Sequence, residues 1–318
     1  MIKRFQTQLL WLWLLPIMLR AQEFQKIGTT GFVFLEIPVS ARHLALGEAG
    51  ISLPNAGTDG LFMNPALVAL NTARMTFNAT YANWYVETSH QALGLTYSLP
   101  RIGTFGLQAV YFNFGEIEKT INPTAEQTGS YIALGTYTAG AYAIGLTYAR
   151  SLTDKFSFGS TLKYVQETID QYSASNVIAD IGFLYMTGFG SLRIGAFLQS
   201  FGLEAKYANE KFKMPQQLKM GISGELWGHI DSPHRVTLLA EAIHPNDADE
   251  RIHLGMEAVF SNSVILRTGY KFGYTEENLC LGAGVGFQFK GKRFCLDGAY
   301  MNHQYLDTTL RYTLSMEL

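Results

Sequence analysis

Histidine, serine, cysteine and acidic side chains are the residues that could support catalysis or metal binding in this chain, and their spacing indicates neither. No pair of histidines or cysteines has the His-x-x-x-His or Cys-x-x-Cys spacing that metal ligands adopt, and no serine lies in a Gly-x-Ser-x-Gly turn. The histidines are spread along the chain, at His43, His90, His229, His234, His244, His253 and His303. We therefore predict no catalytic residue, no metal ligand and no cofactor.

A lipase whose catalytic residues lie in the wall of a membrane β-barrel, the fold that is predicted below, is the enzyme class that most needs to be considered. It would require a serine, a histidine and an acid that approach one another at the lipid boundary. Ser89 and His90 are the nearest candidates, but adjacent residues of a strand point to opposite faces. We therefore interpret the chain as non-enzymatic.

Acidic residues cluster in one polar segment, at Asp247, Asp249 and Glu250. Carboxylate oxygens are the ligands that a divalent cation such as calcium prefers. The same residues are also typical of a solvated loop. Both interpretations stay open at this point.

Glycines recur at every second position of the segment GAGVGF, at Gly282, Gly284 and Gly286. This is not a phosphate-binding loop, because no helix follows it. Glycines at alternate positions of a strand keep one face small, so that another backbone can approach it closely. We predict that a segment filling the interior of the fold lies against this face.

The elements that carry these residues show a period of two from about residue 73 to the end of the chain. In the last segment, Leu310, Tyr312 and Leu314 share one face, whereas Arg311 and Thr313 share the other. Such segments are roughly ten to thirteen residues long, which suits a tilted transmembrane β-strand. Strands of soluble proteins are usually shorter.

Fourteen such segments are predicted, and the connections between them alternate in length. Short turns such as PRIG, TDK, TGFG, FSNS and KGK alternate with longer connections, of which residues 116–138 and 202–214 are the clearest. Bacterial outer-membrane barrels show this alternation, with short periplasmic turns and long external loops. Residues 127–138 also alternate, either as an extension of the fourth strand or as an extra strand. The predicted strands cover residues 73–83, 90–99, 103–115, 139–151, 155–168, 174–187, 190–201, 215–227, 234–243, 251–260, 263–273, 278–290, 292–302 and 306–317.

The chain divides into three predicted parts. Lys3 and Arg4 precede an apolar run that ends before Ala21, which is typical of a secretory signal peptide over residues 1–21. Residues 22–72 lack the strand pattern and are predicted to form a plug, and residues 73–318 are predicted to form the barrel. The predicted fold class is therefore all-β, a transmembrane antiparallel β-barrel of about 14 strands with a short helical or irregular N-terminal plug in its lumen.

Two features of the predicted plug indicate local structure. Ser40 is placed to cap a short helix through Ala45, with Gly47 as its stop. Asn64 precedes Pro65, which suits the first position of another helix or turn. The pair is interpreted either as an anchor, in which the Asn64 amide bonds carbonyls or a lumen charge, or simply as a helix cap.

Composition agrees with a membrane barrel and excludes a nucleic-acid-binding protein. Charged residues make up 16% of the chain and aromatic residues 13%, whereas about a quarter of a soluble domain is charged. The net charge of −2 gives no argument for a basic nucleic-acid-binding surface, so no nucleic acid is expected as a partner. A soluble all-β sandwich could have the same composition, and the long alternating strands are what argue against it.

The two cysteines, Cys280 and Cys295, are predicted to be free, although exported proteins usually form disulfides. A tight turn at residues 291–292 would place Cys280 opposite His303 and Cys295 opposite Gln288. In this register the two thiols lie on the order of 25 Å apart. A disulfide requires a much shorter separation.

Alternation also predicts which side chains face lipid and which face the lumen. Residues predicted to face lipid are Met75, Phe77, Tyr81, Leu93, Leu95, Tyr97, Ile194, Ala196, Leu198, Leu218, Met220, Ile222, Leu254, Met256 and Phe260. Charged residues predicted to face the lumen are Lys163, Asp180, Arg193, Lys219, Glu225, Arg235, Glu241, Glu257, Arg267, Lys271, Arg293, Asp297, Arg311 and Glu317. Because both signs occur, we predict an ion-pair network that holds the plug, centred on Lys163, Asp180, Arg193, Glu257 and Arg267, rather than a selectivity filter. Arg42 is predicted either to bind a lumen carboxylate such as Asp180 or Glu257 or to face solvent at the periplasmic mouth.

A set of residues recurs in a characteristic order in the plug region and further along the chain. In the plug region it comprises Phe34, Leu35, Ser40, Ala41, Arg42, Gly47, Ala49, Gly50, Asn64, Pro65 and Ala66. Further along it comprises Arg150, Asp154, Gly159, Lys163, Asp180 and Gly182. This set resembles the signature of the PorV/PorQ family of outer-membrane proteins, which is similar in fold to FadL-type long-chain fatty-acid transporters. The resemblance covers about residues 30–230, and its plug motif consists of Arg42, Gly47, Asn64, Pro65 and Ala66.

The resemblance implies a fourteen-stranded barrel in the outer membrane of a Bacteroidetes-like bacterium, with a role in type IX protein secretion. Its partners would be outer-membrane lipid and either secretion-system proteins or exported cargo domains. We predict that outer loops carry the binding surface, through Ile117 and Ile121 in one loop and Phe212 and Met214 in another. The alternative is a FadL-like passive channel for hydrophobic small molecules, with an apolar pocket lined by Phe34, Phe62, Leu184 and Phe197.

Overall fold

The computed structural model describes residues 28–122, 131–207, 210–306 and 308–318. Within these residues, fourteen long strands close into one antiparallel β-barrel, as the alternation predicted. The predicted signal peptide, residues 1–21, lies outside the described residues and stays a prediction, as does the division at residues 22–72 and 73–318. No helix in the described part of the chain is long and apolar enough to cross a membrane.

Sixteen strands follow one another in the described residues, and all but two belong to the wall. The exceptions are β8 and β9, which form a separate two-stranded sheet, so that β7 pairs with β10 in the wall and β1 closes the barrel against β16. The strands are β1 (Met75–Asn83), β2 (Ser89–Leu99), β3 (Gly103–Ile121), β4 (Ile132–Ser151), β5 (Phe156–Ile169), β6 (Tyr172–Met186), β7 (Arg193–Gly202), β8 (Ala205–Tyr207), β9 (Glu210–Phe212), β10 (Gln217–Trp227), β11 (Arg235–Pro245), β12 (Arg251–Phe260), β13 (Val264–Phe272), β14 (Leu279–Phe289), β15 (Lys292–Met301) and β16 (Thr309–Glu317).

The two ends of the barrel differ in their connections. The wall begins and finishes at the end that carries the short connections after β2, β4, β6, β10, β12 and β14. We call this the turn end and the opposite one the loop end. The turn between β14 and β15 consists of Lys290 and Gly291, which have φ angles of 49° and 76°. Positive φ at both central residues matches the twist of a two-residue hairpin.

This turn corrects the predicted register of the cysteines by two residues. Cys280 pairs with Met301 and Cys295 with Gly286. The sequence prediction placed the turn one residue later, because it did not allow Lys290 to adopt a left-handed conformation. The conclusion drawn from it was right, since both cysteines are free.

Strands β3 and β4 correct the predicted loop over residues 116–138. They contain 19 and 20 residues, whereas a membrane-spanning strand needs about 9–11. Their extra length pairs Glu116 with Thr138 and Ile121 with Ile132. Most of the predicted loop is therefore a hairpin that rises beyond the wall at the loop end, and the fourth strand is extended rather than preceded by an extra one.

The wall is apolar outside and polar inside, which follows from the period of two. Outward-facing Leu93, Leu146 and Met220 are 53%, 66% and 58% exposed, as expected for side chains that contact lipid. Inward-facing Glu257, Arg267 and the other charged residues of the middle of the lumen are buried. Protein therefore occupies the middle of the lumen.

The filling is the N-terminal segment, which folds into short helical turns inside the barrel. Ser40 caps α1 by accepting a hydrogen bond of 3.2 Å from the backbone N–H of His43, as predicted. Pro65 begins a 3₁₀ turn, and the Asn64 side chain accepts a bond of 3.0 Å from the Ala66 N–H. The elements are a 3₁₀ turn (Val33–Glu36), α1 (Ala41–Ala45), a 3₁₀ turn (Gly57–Asp59), α2 (Gly60–Met63) and a 3₁₀ turn (Pro65–Leu70). We call residues 28–74 the plug.

A belt of wall glycines receives the plug around most of the barrel. A Cβ atom added at any of these positions would approach plug atoms more closely than van der Waals contact allows, so the missing side chain is what admits the plug. The belt consists of Gly94, Gly106, Gly159, Gly182, Gly195, Gly221, Gly255, Gly269 and Gly282.

The predicted glycine face of β14 is confirmed at one position. Gly282 lies against Ala45 of the plug. The space at Gly284 is filled instead by the side chains of Arg267 and Asp297, and Gly286 lies nearest to the backbone of Asn262. Small residues on this strand therefore admit wall side chains as well as the plug.

Candidate functional site

A buried ion cluster near the turn end fixes the plug to the wall. Arg42 of α1 donates from Nε and Nη2 to the two carboxylate oxygens of Glu257 on β12, each at 2.8 Å. Arg267 on β13 donates from Nε to the same carboxylate at 2.8 Å and from Nη1 to Asp297 on β15 at 2.5 Å. Of the two acids predicted for Arg42, the structure therefore selects Glu257. We call these four side chains the turn-end clamp.

A second cluster holds the plug toward the loop end. Lys271 on β13 lies 2.7 Å from Glu48 of the plug and 2.7 Å from Glu277 in the following loop. Its ammonium also lies 4.0 Å from the centre of the Tyr274 ring. Burial would raise the pKa of Glu48, but the charge and hydrogen bond of Lys271, together with the charges of His253 and His43, hold the pKa of this carboxyl below its usual value. Glu48 therefore stays ionised, and we call Glu48, Lys271 and Glu277 the loop-end clamp.

The remaining members of the predicted charge network do not contact the plug clamps. Lys163 forms an ion pair with Asp180 on the neighbouring strand, and the other oxygen of Asp180 accepts a bond of 2.8 Å from the backbone of Ser200. Arg193 forms an ion pair with Glu225. In the described residues the predicted single network is thus three separate groups, because Lys163 and Arg193 each find a carboxylate on the adjoining wall strand.

The plug-motif residues contact the wall in a second way. The Asn64 amide donates to the carbonyls of Ile51 at 2.8 Å and of Phe183 on β6 at 3.1 Å, so this residue is both a cap and an anchor. Gly47 has a φ of 62°, and a Cβ there would lie 2.9 Å from the backbone nitrogen of Tyr270. Only glycine combines this conformation with so close an approach. Ala66 is fully buried in the same contact region.

A cavity of about 600 Å³ opens above the plug at the loop end. Its lining combines aromatic and aliphatic side chains with charged and polar groups of the loop-end clamp and its neighbours. The apolar lining comprises Phe32, Val33, Phe34, Ile37, Pro38, Trp84, Phe112, Phe114, Ile169 and Ile243. The polar lining includes Glu36, Glu48, Glu167, Gln217, Arg251, Lys271, Tyr274 and Glu277. We call it the loop-end cavity.

The plug separates this cavity from a charged cavity at the turn end. The segment from Phe34 to Pro38 lies between the loop-end cavity and a small pocket of about 30 Å³ deeper in the lumen. The turn-end cavity measures about 320 Å³ and shares no lining residue with the loop-end cavity. It contains Arg42, Asp59, Glu257 and Arg267, so the two cavities differ in chemistry.

The pocket predicted for an apolar ligand was placed correctly in one of its four residues. Phe34 lines the loop-end cavity, and Phe62 lines the small pocket below it. Leu184 is buried against Met63 and Leu67 of the plug, and Phe197 is 1% exposed. The prediction failed there because both side chains are buried, Leu184 against the plug.

The predicted partner-binding loops differ in what they expose. Ile121 is 47% exposed on the β3–β4 hairpin, and Ile117 is half-buried on the same hairpin. Phe212 lies against Phe32 of the plug, with ring centres 5.4 Å apart, and Met214 is 1% exposed. Partner binding at these loops stays a prediction, and of the four residues named for it Ile121 is the one whose side chain is exposed.

Neither of the chemical sites considered in the sequence takes shape in the described residues. His90 is buried and lies 2.9 Å from the Arg311 guanidinium, a cation where a triad would need an acid. No group of three potential metal ligands is found among the described residues. In the acidic loop, Asp247 accepts the Thr30 hydroxyl, and Glu250 lies 3.2 Å from His244.

Asp59 in the plug provides a pH-dependent test of how the plug is seated. Burial raises the pKa of Asp59 to about 6, although Arg42 opposes the shift. Because the folded protein then holds a proton that the unfolded chain loses, the free energy of unfolding should fall as the pH rises from about 4 to about 6.

We expect Asp59→Asn to remove this slope and to stabilise the protein at pH 7.5 by about 1–3 kcal/mol. Chemical unfolding of both proteins at pH 4.5, 6.0 and 7.5 measures the effect. Equal slopes for the variant and the wild type would contradict a buried, proton-binding Asp59.

Solved structures of bacterial channels share this fold. TodX, a toluene transporter of Pseudomonas putida, has a TM-score of 0.59 and 12% identity, over 92% of this chain and 99% of that chain. CymD, a monoaromatic hydrocarbon channel, has a TM-score of 0.58 and 13% identity, over 90% of this chain and 97% of that chain. A FadL homologue of Pseudomonas aeruginosa has a TM-score of 0.54 and 9% identity, over 88% and 98%.

At these identities the likeness concerns the fold alone, a closed barrel of the kind seen in these three proteins. Two of them, TodX and CymD, are a transporter and a channel. No family model and no curated protein sequence matches the chain. None of the comparisons points to the PorV/PorQ family, so that resemblance stays a prediction.

Proposed function

We propose that this protein is a passive channel that admits small hydrophobic molecules through the outer membrane. The observation that carries the proposal is the loop-end cavity, which is large enough for a small apolar ligand and is lined in part by aromatic and aliphatic side chains. Binding sites for such ligands are typically apolar clefts of about 300–1,000 Å³. The fold shared with hydrocarbon channels supports the same class of ligand.

The position of the cavity fits uptake from outside the cell. In bacterial outer-membrane barrels, the short turns face the periplasm and the longer connections face outward. The loop-end cavity would then open to the exterior, with the plug below it. The two clamps hold the plug in the lumen, so passage requires the ligand to move past the segment from Phe34 to Pro38 or the plug to shift.

A carboxylate added at an apolar position of the cavity lining should weaken the binding of an apolar ligand. Val33 lines the cavity and is 54% exposed, so Val33→Asp places a carboxylate there without burying it completely. We expect toluene affinity to fall about tenfold or more, because the ligand would have to desolvate the carboxylate. Titration of toluene against the purified protein, followed by the fluorescence of Trp84 in a Trp227→Phe background, measures this affinity.

The matched control is Val86→Asp. Val86 is an exposed valine in the loop between β1 and β2 at the same end, and it does not line the cavity. The affinity of the Val86→Asp variant for toluene should stay within about twofold of that of the wild type. Equal loss in both variants, or no measurable toluene binding by the wild type, would refute the cavity as the ligand site.

Docking of type IX secretion components is the second candidate. One observation favours it, the β3–β4 hairpin, which rises beyond the wall and exposes Ile121, Tyr131 and Leu134 to 47%, 55% and 54%. Exposed apolar groups on a projecting hairpin suit contact with a partner protein. The other support for docking is the resemblance of the plug motif to the PorV/PorQ family.

A pull-down from detergent-solubilised outer membrane tests this candidate. Docking predicts that secretion-system proteins or cargo domains are recovered with the wild type and lost with Ile121→Ser/Leu134→Ser. Recovery of lipid without any secretion component would refute docking and leave the channel proposal unaffected.

A further inference from the structure

A cleft at the turn end combines three arginines with hydroxyl and amide groups. It measures about 660 Å³ and lies where the chain leaves the plug, beside the ends of β2, β3 and β4. No aspartate or glutamate occurs among its lining residues, in contrast to the turn-end cavity inside the lumen. The arginines are Arg74, Arg101 and Arg150, and Asn71, Thr72 and Thr104 are among the amide and hydroxyl groups beside them. We call this site the arginine cleft.

The positive charge of the arginine cleft is not neutralised within the described part of the protein. None of Arg74, Arg101 and Arg150 has a carboxylate within ion-pair distance there, and all three are exposed. Arg74 reaches over the rim, where it donates to the Tyr97 hydroxyl at 2.6 Å and lies 5.4 Å from the centre of that ring. This contact directs the cleft toward the outside of the barrel.

The outer surface next to the arginines is arranged in two rows across β2, β3 and β4. The register places an aromatic row nearest the rim and a leucine row one step further along the wall. The rows are Tyr97, Phe105 and Tyr148, and then Leu95, Leu107 and Leu146. Two residues along a strand span about 7 Å, so positive charge, aromatic rings and aliphatic side chains succeed one another over a short distance.

We infer that the arginine cleft binds the phosphate headgroup of a phospholipid in the leaflet that surrounds the turn end. The arginines would hold the phosphate, the aromatic row would lie at the level of the glycerol backbone, and the leucine row would contact the acyl chains. The order of the three layers is the order of the parts of a phospholipid. This inference rests on the proposed position in the outer membrane and does not require channel activity.

The surroundings favour a lipid over a free anion. A site for inorganic phosphate would need only the arginines and hydroxyls of the cleft, and the adjoining apolar rows would add no affinity. Phe105 and Leu107 are 45% and 46% exposed directly beside the cleft. An occupant with both an anionic group and apolar chains makes use of all three layers.

Native mass spectrometry of the purified full chain with phosphatidylglycerol tests the inference. We expect Arg74→Gln/Arg101→Gln/Arg150→Gln to lower the affinity about tenfold or more, since each basic residue near a lipid surface contributes measurably. Leu107→Gln should lower it about threefold or more through lost apolar contact. The control Lys290→Gln/Lys292→Gln removes basic residues from the turn between β14 and β15, away from the cleft, and should change affinity less than about twofold.

Two results would overturn the inference. One is an equal loss of affinity in the arginine and lysine variants, which would indicate unspecific attraction of the turn end for anionic lipid. The other is displacement of phosphatidylglycerol by millimolar inorganic phosphate with no effect of Leu107→Gln, which would make the cleft a free-phosphate site. Toluene binding measured on the same arginine variant should be unchanged, so failure of the lipid site and failure of the channel are distinguishable.

Discussion

Replacing Glu257 by alanine should destabilise the barrel by about 3–5 kcal/mol, because it leaves the buried guanidinium groups of Arg42 and Arg267 without their shared carboxylate. Glu257 accepts three hydrogen bonds of 2.8 Å from these two side chains. Urea unfolding of the protein refolded into lipid vesicles measures the change in the free energy of unfolding.

A cysteine of the wall reports whether the plug is released. Cys280 is fully buried and packs against Ala41, Leu44 and Ala45 of the plug helix. Alkylation of Cys280 should accelerate in Glu257→Ala, because α1 loses its attachment to β12. The control Glu225→Ala breaks a buried pair with Arg193 on the wall and should leave Cys280 protected. Loss of less than about 1 kcal/mol in Glu257→Ala, with Cys280 still protected, would contradict a clamp that holds the plug.

A methyl group added at Gly269 should displace the plug, because it would clash with the plug backbone. An alanine Cβ there would lie 2.6 Å from the Cα atom of Gly47, and backbone cannot yield as a flexible side chain can. Overpacking of this kind typically costs about 1–3 kcal/mol. We expect Gly269→Ala to lower the free energy of unfolding by this amount and to expose Cys280 to alkylation.

Gly298→Ala is the matched control on the lipid-facing side of β15. The nearest atom to a Cβ there lies 3.9 Å away, on the Tyr312 ring, so the stability should stay within about 0.5 kcal/mol of the wild type. Equal stability of the Gly269 and Gly298 variants would show that the plug does not press against the wall as the structure describes.

The barrel wall could be predicted from sequence because its environment is periodic. Each wall side chain faces either lipid or lumen. The position of a residue in the alternating pattern of its strand, as for Leu146 or Glu257, therefore indicates which of the two it faces. Strand ends are less constrained. The extension of β3 was missed, the extension of β4 was one of two interpretations left open, and the turn at Lys290 was placed one residue too late. Hydrogen bonding beyond the membrane and left-handed turn residues leave a weak signal in the sequence.

The contacts of the plug could be predicted only in part because the plug has no period. Its short turns follow from capping residues such as Ser40 and Asn64. The partner of Lys271 could not be found, since Glu48 lies in an irregular turn with a φ of 66° whose position depends on the whole barrel. The loop-end cavity depends on how the segment from Phe34 to Pro38 folds over the lumen, which no local pattern encodes.

The initial rate of toluene uptake tests the channel proposal most directly. The measurement compares cells that carry this barrel in the outer membrane with otherwise identical cells that lack it, using radiolabelled toluene and, in parallel, radiolabelled arabinose. The proposal predicts faster toluene uptake with the barrel and unchanged arabinose uptake. Equal toluene uptake with and without the barrel, or an equal increase for the sugar, would contradict a channel selective for hydrophobic molecules.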